Sequence, residues 1–205
     1  MKKVLLFFLT VCMLLPLVAC GETTEDGYKV PDGYQLLSNE DVNYHCIVPS
    51  GWILENVNTA MPFAVCSSVD STNLSVITQR LTDPTFGGKE TATERLTAYW
   101  EQYGKVDAAI LGGYTNPYVN EELDEIQGWP ENGKELLLSA KDGKKVEARR
   151  YIYSIARGEI TYVIDQTVCI YGTNVYLLTL TAKETSYGLH LAEMTDILRF
   201  FQFRV

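Results

Sequence analysis

The sequence of 205 residues predicts an α+β domain in which the helices and the sheet occupy separate stretches of the chain. Three long runs, at 146–155, 160–171 and 175–182, are rich in Tyr, Val, Ile and Thr, as strands are. Short turns built on Asp-Gly, Arg-Gly and Gly-Thr-Asn precede or separate these runs, and strands joined so tightly must be antiparallel. One helix is predicted before this meander and another after it.

Two further strand regions precede the long runs. Residues 43–48 predict a strand that ends at the Pro49-Ser50-Gly51 turn. Residues 62–67 and 74–78 predict two short strands, and the Asp-Ser-Thr-Asn sequence between them has the chemistry of a turn. We therefore expect a β-hairpin over residues 62–78.

Two helices complete the predicted fold. The first begins at a capping box, Thr91 to Glu94, whose hydroxyl and carboxylate satisfy free N–H groups at the helix start, and it ends at Gly104. Its apolar face is formed by Ala92, Leu96, Trp100 and Tyr103. The C-terminal helix carries an apolar stripe of Tyr187, Leu191, Met194 and Leu198. Residues 105–134 predict long loops with one short helix.

The N-terminus has the layout of a secretory signal peptide. Lys2 and Lys3 precede an apolar run that, at about 16 residues, is shorter than the roughly 20 of a membrane-spanning helix. The run ends in Leu-Val-Ala-Cys, which resembles the bacterial lipobox, where the cysteine is acylated and becomes the first mature residue. The alternative is an ordinary signal peptide with an accidental cysteine. We predict a signal peptide over residues 1–19, a lipidated Cys20 with a flexible tether over 20–34, and a folded domain over 35–205.

This anchor predicts a location on the extracytoplasmic face of the cell membrane. Each buried methylene of an acyl chain such as palmitate contributes about 0.8 kcal/mol to membrane binding. Two long chains on Cys20 would therefore anchor the protein stably, whereas a single chain would bind the membrane only reversibly. Removal of residues 1–19 leaves 15 basic against 26 acidic residues, a net charge of −11. Such a surface repels nucleic acid, and we expect no nucleic-acid partner.

Three cysteines remain after processing: Cys46, Cys66 and Cys169. An odd number in an exported protein leaves at least one thiol unpaired or bound to another molecule. No C-x-x-C motif is present, so neither a redox motif nor a zinc site is indicated. The sequence leaves open whether all three thiols are buried and reduced, whether two form a disulfide, or whether one is reactive.

Several sequence blocks, in this order, resemble the PsbP-like family in its bacterial lipoprotein branch. The likeness covers residues 33–205, with departures in 105–134, and its blocks are 44–52 (YHCIVPSGW), 67–76, 98–103, 147–153, 162–166, 171–179 and 190–203. The resemblance implies an antiparallel sheet sandwiched between helices. It implies no single activity, since plant members assist the oxygen-evolving photosystem and a related nuclear-transport factor binds a small GTPase. No functional residue of the family has a matching motif in this chain.

Catalytic and metal-binding motifs are not apparent in the sequence. His45 and His190 lie in no triad signature, and zinc and EF-hand spacings are absent. Cys46 beside His45 is not a catalytic pair, because adjacent residues of a strand point to opposite faces. We expect no metal and no cofactor. The alternative is an envelope hydrolase whose catalytic groups would be Asp165 and Glu147, an acidic pair on facing strands.

Asp165 and Gln166 interrupt an otherwise apolar strand. Because polar groups are costly to bury without partners, we expect Arg149 or Arg150 on the neighbouring strand to pair with Asp165. The pair either fixes strand register or forms the polar floor of a ligand cleft. The tyrosines of the same strands are either core residues beneath a helix or a row on which a ligand stacks: Tyr151, Tyr153, Tyr162, Tyr171 and Tyr176.

The connection 112–130 is the other candidate binding surface. Tyr114, Tyr118 and Trp129 lie there among carboxylates, and long loops in compact domains are usually functional or disordered. They either dock a partner or pin the loop to the sheet. The function that the sequence favours is a non-catalytic module that binds an envelope protein or a small ligand, or assists an envelope complex.

Overall fold

The computed structural model describes residues 22–55, 62–66, 70–81, 91–104 and 134–204. The chain divides after Gly33 into two units. In the first, a bridge between Thr23 and Lys29 closes a tight turn in which the N–H of Gly27 donates to the carbonyl of Thr24 at 2.9 Å. The domain boundaries stay a prediction.

The described residues of the second unit form eleven strands and two α-helices. The strands of its N-terminal half are β1 (Tyr34–Leu36), β2 (Tyr44–His45), β3 (Ile47–Pro49), β4 (Trp52–Glu55), β5 (Phe63–Cys66) and β6 (Asn73–Arg80). Those of its C-terminal half are β7 (Lys134–Ala140), β8 (Lys145–Arg157), β9 (Ile160–Tyr171), β10 (Asn174–Lys183) and β11 (Gln202–Phe203). Helix α1 spans Ala92–Tyr99 and continues as a π-helical turn over Trp100–Gly104, and helix α2 spans Glu184–Phe200.

Within the described ranges, nine strands form one sheet in the order β2-β11-β7-β8-β9-β10-β6-β5-β4, while β1 and β3 form a separate pair. All neighbours in the sheet are antiparallel except β11 and β7, which are parallel. The predicted meander β8-β9-β10 is confirmed. Gly158 and Gly172 adopt φ values of 62° and 61° in its two turns, a conformation that favours glycine.

The predicted strand over 43–48 is wrong in one respect, because the chain divides it at Cys46 into β2 and β3. The N–H of Cys46 donates to Ser38 Oγ at 3.1 Å, and its carbonyl accepts from the N–H of Leu37 at 2.8 Å. These bonds take the backbone of Cys46 out of the ladder, so β2 pairs with β11 and β3 pairs with β1. The predicted hairpin at 62–78 is confirmed as β5 and β6.

The alternating residues of the long strands build two apolar clusters. Ala148 and Ile152 of β8 pack in a cluster with Tyr187 and Met194 of α2. Tyr151 and Tyr153 of the same strand pack in the other cluster with Leu96 and Trp100 at α1. The capping box is confirmed: the N–H of Glu94 donates to Thr91 Oγ1 at 3.2 Å, and the N–H of Thr91 donates to Glu94 Oε2 at 3.1 Å.

Cys46 and Cys169 are buried free thiols, and neither forms a disulfide. Burial raises the pKa of Cys46 to about 12 and that of Cys169 further, so neither is a thiolate at neutral pH. The side chain of Cys66 lies outside the described part of the protein. Neither described helix is long and apolar enough to cross a membrane.

Candidate functional site

A buried triad of Arg150, Asp165 and Tyr187 joins the middle of the sheet to α2. Arg150 Nε donates to Asp165 Oδ1 at 2.7 Å, and Arg150 Nη2 donates to Asp165 Oδ2. The hydroxyl of Tyr187 donates to the same Oδ2 atom at 2.9 Å. The side chain of Asp165 has no exposed surface, and that of Arg150 is 9% exposed. Arg150 is therefore the predicted partner of Asp165, and the fork of the guanidinium fixes its orientation.

The electrostatics of this triad favour the charged form of Arg150 and the neutral form of Tyr187. Burial alone would lower the pKa of Arg150, but the hydrogen bond and the charge of Asp165 raise it above its ordinary value. Burial, followed by the charge of Asp165, raises the pKa of Tyr187, so its hydroxyl stays a donor. Asp165 thus holds a cation and a hydroxyl donor within the cluster below α2.

Arg150 also lines a groove of about 400 Å³ between β7 and the last turns of α2, here called the α2 groove. The other residues that line it are Glu135, Leu136, Leu137, Thr195, Leu198 and Arg199. Arg199 is largely exposed, and its Nη2 lies 2.8 Å from Asp196 Oδ1. The groove therefore carries two guanidinium groups and the carboxylate of Glu135 beside leucine side chains, and each guanidinium is already paired with an aspartate.

A second groove of about 330 Å³ lies on the other side of β7, toward α1, and is called here the α1 groove. Thr93 Oγ1 donates to Glu147 Oε2 at 2.7 Å within it, and Arg149 Nη2 lies 3.2 Å from Glu135 Oε1. The remaining lining residues are Leu96, Leu136, Leu137 and Ala148. This groove has two carboxylates and one guanidinium, the opposite balance from the α2 groove.

The strand between the grooves, β7, is paired unevenly. It pairs with β8 from Lys134 to Ser139, but within the described residues its other edge meets β11 only at Ser139 and Ala140. Leu137 lies in the part that meets β8 alone, and it is 60% exposed and lines both grooves. Residues 134–138 thus form a strand edge that pairs with no other described strand, and we call them the β7 edge. The apolar run Leu136 to Leu138 was the sequence signal for it.

A second polar cluster, which the sequence reasoning missed, centres on His190 of α2. Its Nε2 atom lies 2.8 Å from Asp70 Oδ2, and its Nδ1 atom lies 2.5 Å from Glu193 Oε2. The His190 ring also meets the Trp52 ring edge-on, with centroids 5.9 Å apart. The spacing of three between His190 and Glu193 was a usable signal, whereas Asp70 is 120 residues away. Because both ring nitrogens are engaged, this cluster ties α2 to the β5–β6 turn, and the described residues contain no group of side chains suited to a metal ion.

The predicted row of tyrosines is divided between the two faces of the sheet. Tyr151 stacks on Trp100 of the π-helical turn, with centroids 3.7 Å apart and rings 3° from parallel, and Tyr153 packs beside them. Tyr176 lies in the other cluster, against Phe203. These rings are buried, so the interpretation as core beneath a helix holds for Tyr151, Tyr153 and Tyr176.

The acidic pair of the hydrolase alternative does not come together. Asp165 lies opposite Ile152 and faces the α2 cluster, whereas Glu147 lies opposite Leu137 and faces the α1 groove. Because residues 147 and 152 of one strand point to opposite faces, the sheet separates the two carboxylates. They cannot share one cleft as acid and base, and that pairing was wrong.

Of the other predicted binding residues, Gln166 is half-buried and the remaining three are undescribed. Gln166 donates through Nε2 to Thr179 Oγ1 at 3.1 Å, on the sheet face opposite to Asp165. Tyr114, Tyr118 and Trp129 lie outside the described residues, and their role stays a prediction.

No protein-family model matches the sequence, and no curated protein matches it. Among solved structures, PsbP (CyanoP) from the cyanobacterium Synechocystis sp. PCC 6803 is similar with a TM-score of 0.50 at 17% identity, over 92% of this chain and 99% of that one. The fold is PsbP-like. This likeness confirms the predicted α+β class and the PsbP-like fold that the sequence blocks implied.

Two more solved structures have lower TM-scores. The Ran-binding protein Mog1p of Saccharomyces cerevisiae has a TM-score of 0.48 at 12% identity, over 82% of this chain and 94% of that one. LpqN of Mycobacterium tuberculosis, titled as involved in cell envelope biogenesis, has a TM-score of 0.39 at 15% identity, over 87% of this chain and 82% of that one.

Proposed function

We propose that this chain is a membrane-anchored extracytoplasmic lipoprotein whose PsbP-like domain, with its sheet between helices, is a non-catalytic module that binds a partner protein in the cell envelope. The observation that carries the proposal is the α2 groove. Its lining combines a buried guanidinium, that of Arg150, with Leu137, whose large apolar side chain is 60% exposed. Buried, oriented arginines next to apolar surface are typical of the residues that dominate binding energy at interfaces.

The chemistry of the groove supports binding rather than turnover. Asp165 and Tyr187 are engaged with each other and with Arg150, so they hold the guanidinium in place. A partner that covers the exposed leucine between the two grooves would remove its apolar surface from water. Each Å² of apolar surface buried in this way stabilises the complex by about 25 cal/mol. A small anionic ligand in the same groove is the alternative, and it would leave the outward surface of Leu137 uncovered.

The anchor is the second part of the proposal. Acylation of Cys20 after removal of residues 1–19 would tie the domain to the membrane, and the acidic mature chain would stand off its anionic surface. The test is labelling with an alkyne-tagged palmitate analogue in the native host, comparing the parent with Cys20→Ser. We expect label in the parent and none in the variant. Equal label in both would contradict the lipid anchor, but it would not bear on binding at the α2 groove.

Photo-crosslinking in whole cells tests the binding surface. A photoreactive residue at Leu137 should capture a partner protein, while one at Leu189, which is 77% exposed on α2, serves as the matched control. Capture from position 137 and not from 189 supports the groove. Equal capture at both positions, or none at 137, would contradict it.

A further inference from the structure

We propose that His190 is a proton-dependent latch: its charged ring holds the outer edge of the sheet on α2, and loss of the ring proton releases that edge while the meander stays folded. The outer edge is β4, β5 and Asp70, which lies in the turn before β6, and we call it the β4–β5 edge. The latch is separate from the α2 groove, so it does not depend on the binding function proposed above. Three observations carry it: the contacts of the ring, the weak attachment of β4 and β5, and the charges around the ring.

The contacts of the ring join three elements. From α2, the ring places Nε2 2.8 Å from Asp70 Oδ2 and Nδ1 2.5 Å from Glu193 Oε2, and it meets the ring of Trp52 on β4 edge-on. An ionised carboxylate only accepts hydrogen bonds, so both nitrogens must donate, and only the charged imidazole has two donors. The closed arrangement therefore requires the ring proton.

The neutral ring cannot hold the same arrangement. With one N–H it donates to only one of the two carboxylates, and it attracts neither of them by charge. The side chains of His190, Asp70 and Glu193 are 7%, 18% and 31% exposed, so none of them is fully hydrated in the closed form. A poorly hydrated carboxylate that loses a partner is costly, and it regains water when an element that covers it moves away. The elements that contact the ring from outside α2 are β4 and the turn before β6.

The weak attachment of β4 and β5 makes them the part that moves. In the described part of the chain, the sheet ends at β4, which joins β5 over four residue pairs, and β5 joins β6 over three. Neighbouring strands of the meander are joined over ten residue pairs. Ile53, on the face of β4 opposite to Trp52, is 55% exposed, so little packing holds β4 from that side. Units with few backbone bonds and few buried contacts open at a lower free energy than the whole domain.

The charges around the ring identify His190 as the group that switches. The titratable residues of the surrounding elements are Glu55 on β4, Cys66 on β5, Asp70 in the turn, Glu193 on α2, and Tyr34 and Asp196, which bond to each other one turn further along α2. The segments that join β4, β5 and the turn, 56–61 and 67–69, contain no titratable residue. Among these groups the two that face the ring are both carboxylates, so its surroundings favour the charged form.

The direction of the switch follows from this charge balance. Burial alone would lower the pKa of His190, but the hydrogen bonds to Asp70 and Glu193 raise it above its ordinary value. The ring therefore holds its proton more strongly in the closed form than in the open form, where these bonds are absent. The edge is closed while the ring is charged, and it opens as pH rises through the pKa of the closed form.

Hydrogen–deuterium exchange read by mass spectrometry tests the latch on the full chain purified in detergent, at a series of pH values from 6 to about 9. Exchange times are scaled to the intrinsic rate at each pH, and peptides from β8 and β9 serve as the internal reference. We expect the peptides of β4 and β5 to exchange about tenfold faster, relative to this reference, at the top of the series. A pKa one unit higher in the closed form than in the open form makes opening about tenfold more favourable once the ring is neutral.

Four variants identify the group responsible. His190→Gln has no ring proton to lose, so its β4–β5 edge should exchange fast at every pH. Asp70→Asn keeps an acceptor for the ring but removes a charge, so its transition should move to lower pH. His45→Gln, which replaces the other histidine of the chain, and Cys66→Ala are the matched controls, and both should leave the transition in place.

The titration of the ring must coincide with the opening of the edge. Nitrogen-15 NMR of the histidine side chains should show both nitrogens of His190 protonated at about pH 6, and the proton should be lost over the pH range in which the edge opens. Equal acceleration of all peptides would indicate a global loss of stability and would overturn the proposal. So would an absence of acceleration, a transition that is unchanged in His190→Gln or lost in Cys66→Ala, or a ring that titrates more than about one pH unit away from the opening.

Discussion

Arg150 on β8 and Asp165 on β9 are diagonal neighbours: Asp165 lies opposite Ile152 and Arg150 opposite Thr167, yet the guanidinium reaches the carboxylate with Nε 2.7 Å from Oδ1. The pair is buried, and the hydroxyl of Tyr187 completes it. A diagonal pair of this kind exists only in one strand register, because a shift of one residue would send the side chains to opposite faces. The pair thus selects the register of the meander and presents Arg150 to the α2 groove.

Removing one member of this pair should lower the free energy of unfolding far more than removing both. Asp165→Leu leaves the charge of Arg150 buried without its partner, and we expect a loss of about 3–5 kcal/mol in the free energy of unfolding. The double variant Arg150→Met with Asp165→Leu should regain much of that loss, since buried ion pairs are often replaceable by apolar residues.

Urea unfolding followed by circular dichroism measures both. Glu135→Gln is the matched control, because it breaks an exposed pair with Arg149 and should cost less than about 1 kcal/mol. The single variant Arg150→Met is measured as well. If the free energy of unfolding lost in the double variant equalled the sum of the losses in the two single variants, Arg150 and Asp165 would act independently.

The stack of Trp100 on Tyr151 should hold the π-helical turn against the sheet. The two rings are nearly parallel and are almost completely buried. We expect Trp100→Ala to cost about 3–5 kcal/mol, as other deletions of large buried side chains do. A double-mutant cycle with Tyr151→Ala should give a coupling energy of about 0.5–1.5 kcal/mol, and loss of the near-ultraviolet circular dichroism of the stacked rings should accompany it. If the losses in the two single variants simply added in the double variant, with no coupling energy, the rings would only fill space.

Most of the fold could be predicted because its signals are local. The capping box at Thr91, the turns of the meander and the period-two pattern of β8 and β9 each involve neighbours in sequence. The break at Cys46 could not be predicted, since it depends on hydrogen bonds with Leu37 and Ser38 that strand propensity does not encode. Local propensity is overridden where tertiary hydrogen bonds compete for the backbone.

The candidate site was less predictable because it is assembled from distant residues. The partner of Asp165 could be named from strand proximity, and Arg150 was one of the two residues expected. The α2 groove could not be predicted, because it requires the end of α2 to lie beside β7, and no sequence pattern indicates that packing. The opposite faces of Glu147 and Asp165 were readable only once the strand register was known.

The loop hypothesis remains distinct from the β7 edge and has its own test. A photoreactive residue at position 114, 118 or 129 should capture a partner if the aromatic side chains of 112–130 dock it, because exposed aromatics carry much of the energy of interfaces. Capture is compared with positions in the meander, 145–182, in native membranes. Capture from the meander and never from the loop would show that Tyr114, Tyr118 and Trp129 do not dock the partner.

The His190 cluster should make the stability of the domain depend on pH. Both ring nitrogens face carboxylate oxygens, which only accept hydrogen bonds while ionised, so the geometry requires both nitrogens to be donors and the ring to be charged. Burial alone would lower the pKa of His190, but the hydrogen bonds to Asp70 and Glu193 raise it above its ordinary value. Burial would raise the pKa of Asp70, but His190 and Thr72 lower it well below its usual range.

The sign of the effect follows from these two directions. The raised pKa of His190 stabilises the folded state below the unfolded value of about 6.5, and that stability is lost as pH rises through the folded pKa. The lowered pKa of Asp70 stabilises the folded state above the unfolded value of about 3.9, and that contribution is lost as pH falls toward the folded pKa. The cluster therefore contributes most between about pH 4 and 6.5, and its contribution declines in alkaline buffer.

Urea unfolding at a series of pH values from 5 to about 9 tests this dependence. We expect His190→Gln to lower the free energy of unfolding by about 1–3 kcal/mol at pH 5.5, which is the cost of unpairing hydrogen-bonded charged groups. The stability of this variant should then no longer decline as the pH rises. Glu193→Gln removes one of the two carboxylates, so its decline should begin at a lower pH than in the parent. A decline that persists unchanged in His190→Gln would assign the pH dependence to another group and contradict a charged imidazole at the junction of α2 and the β5–β6 turn.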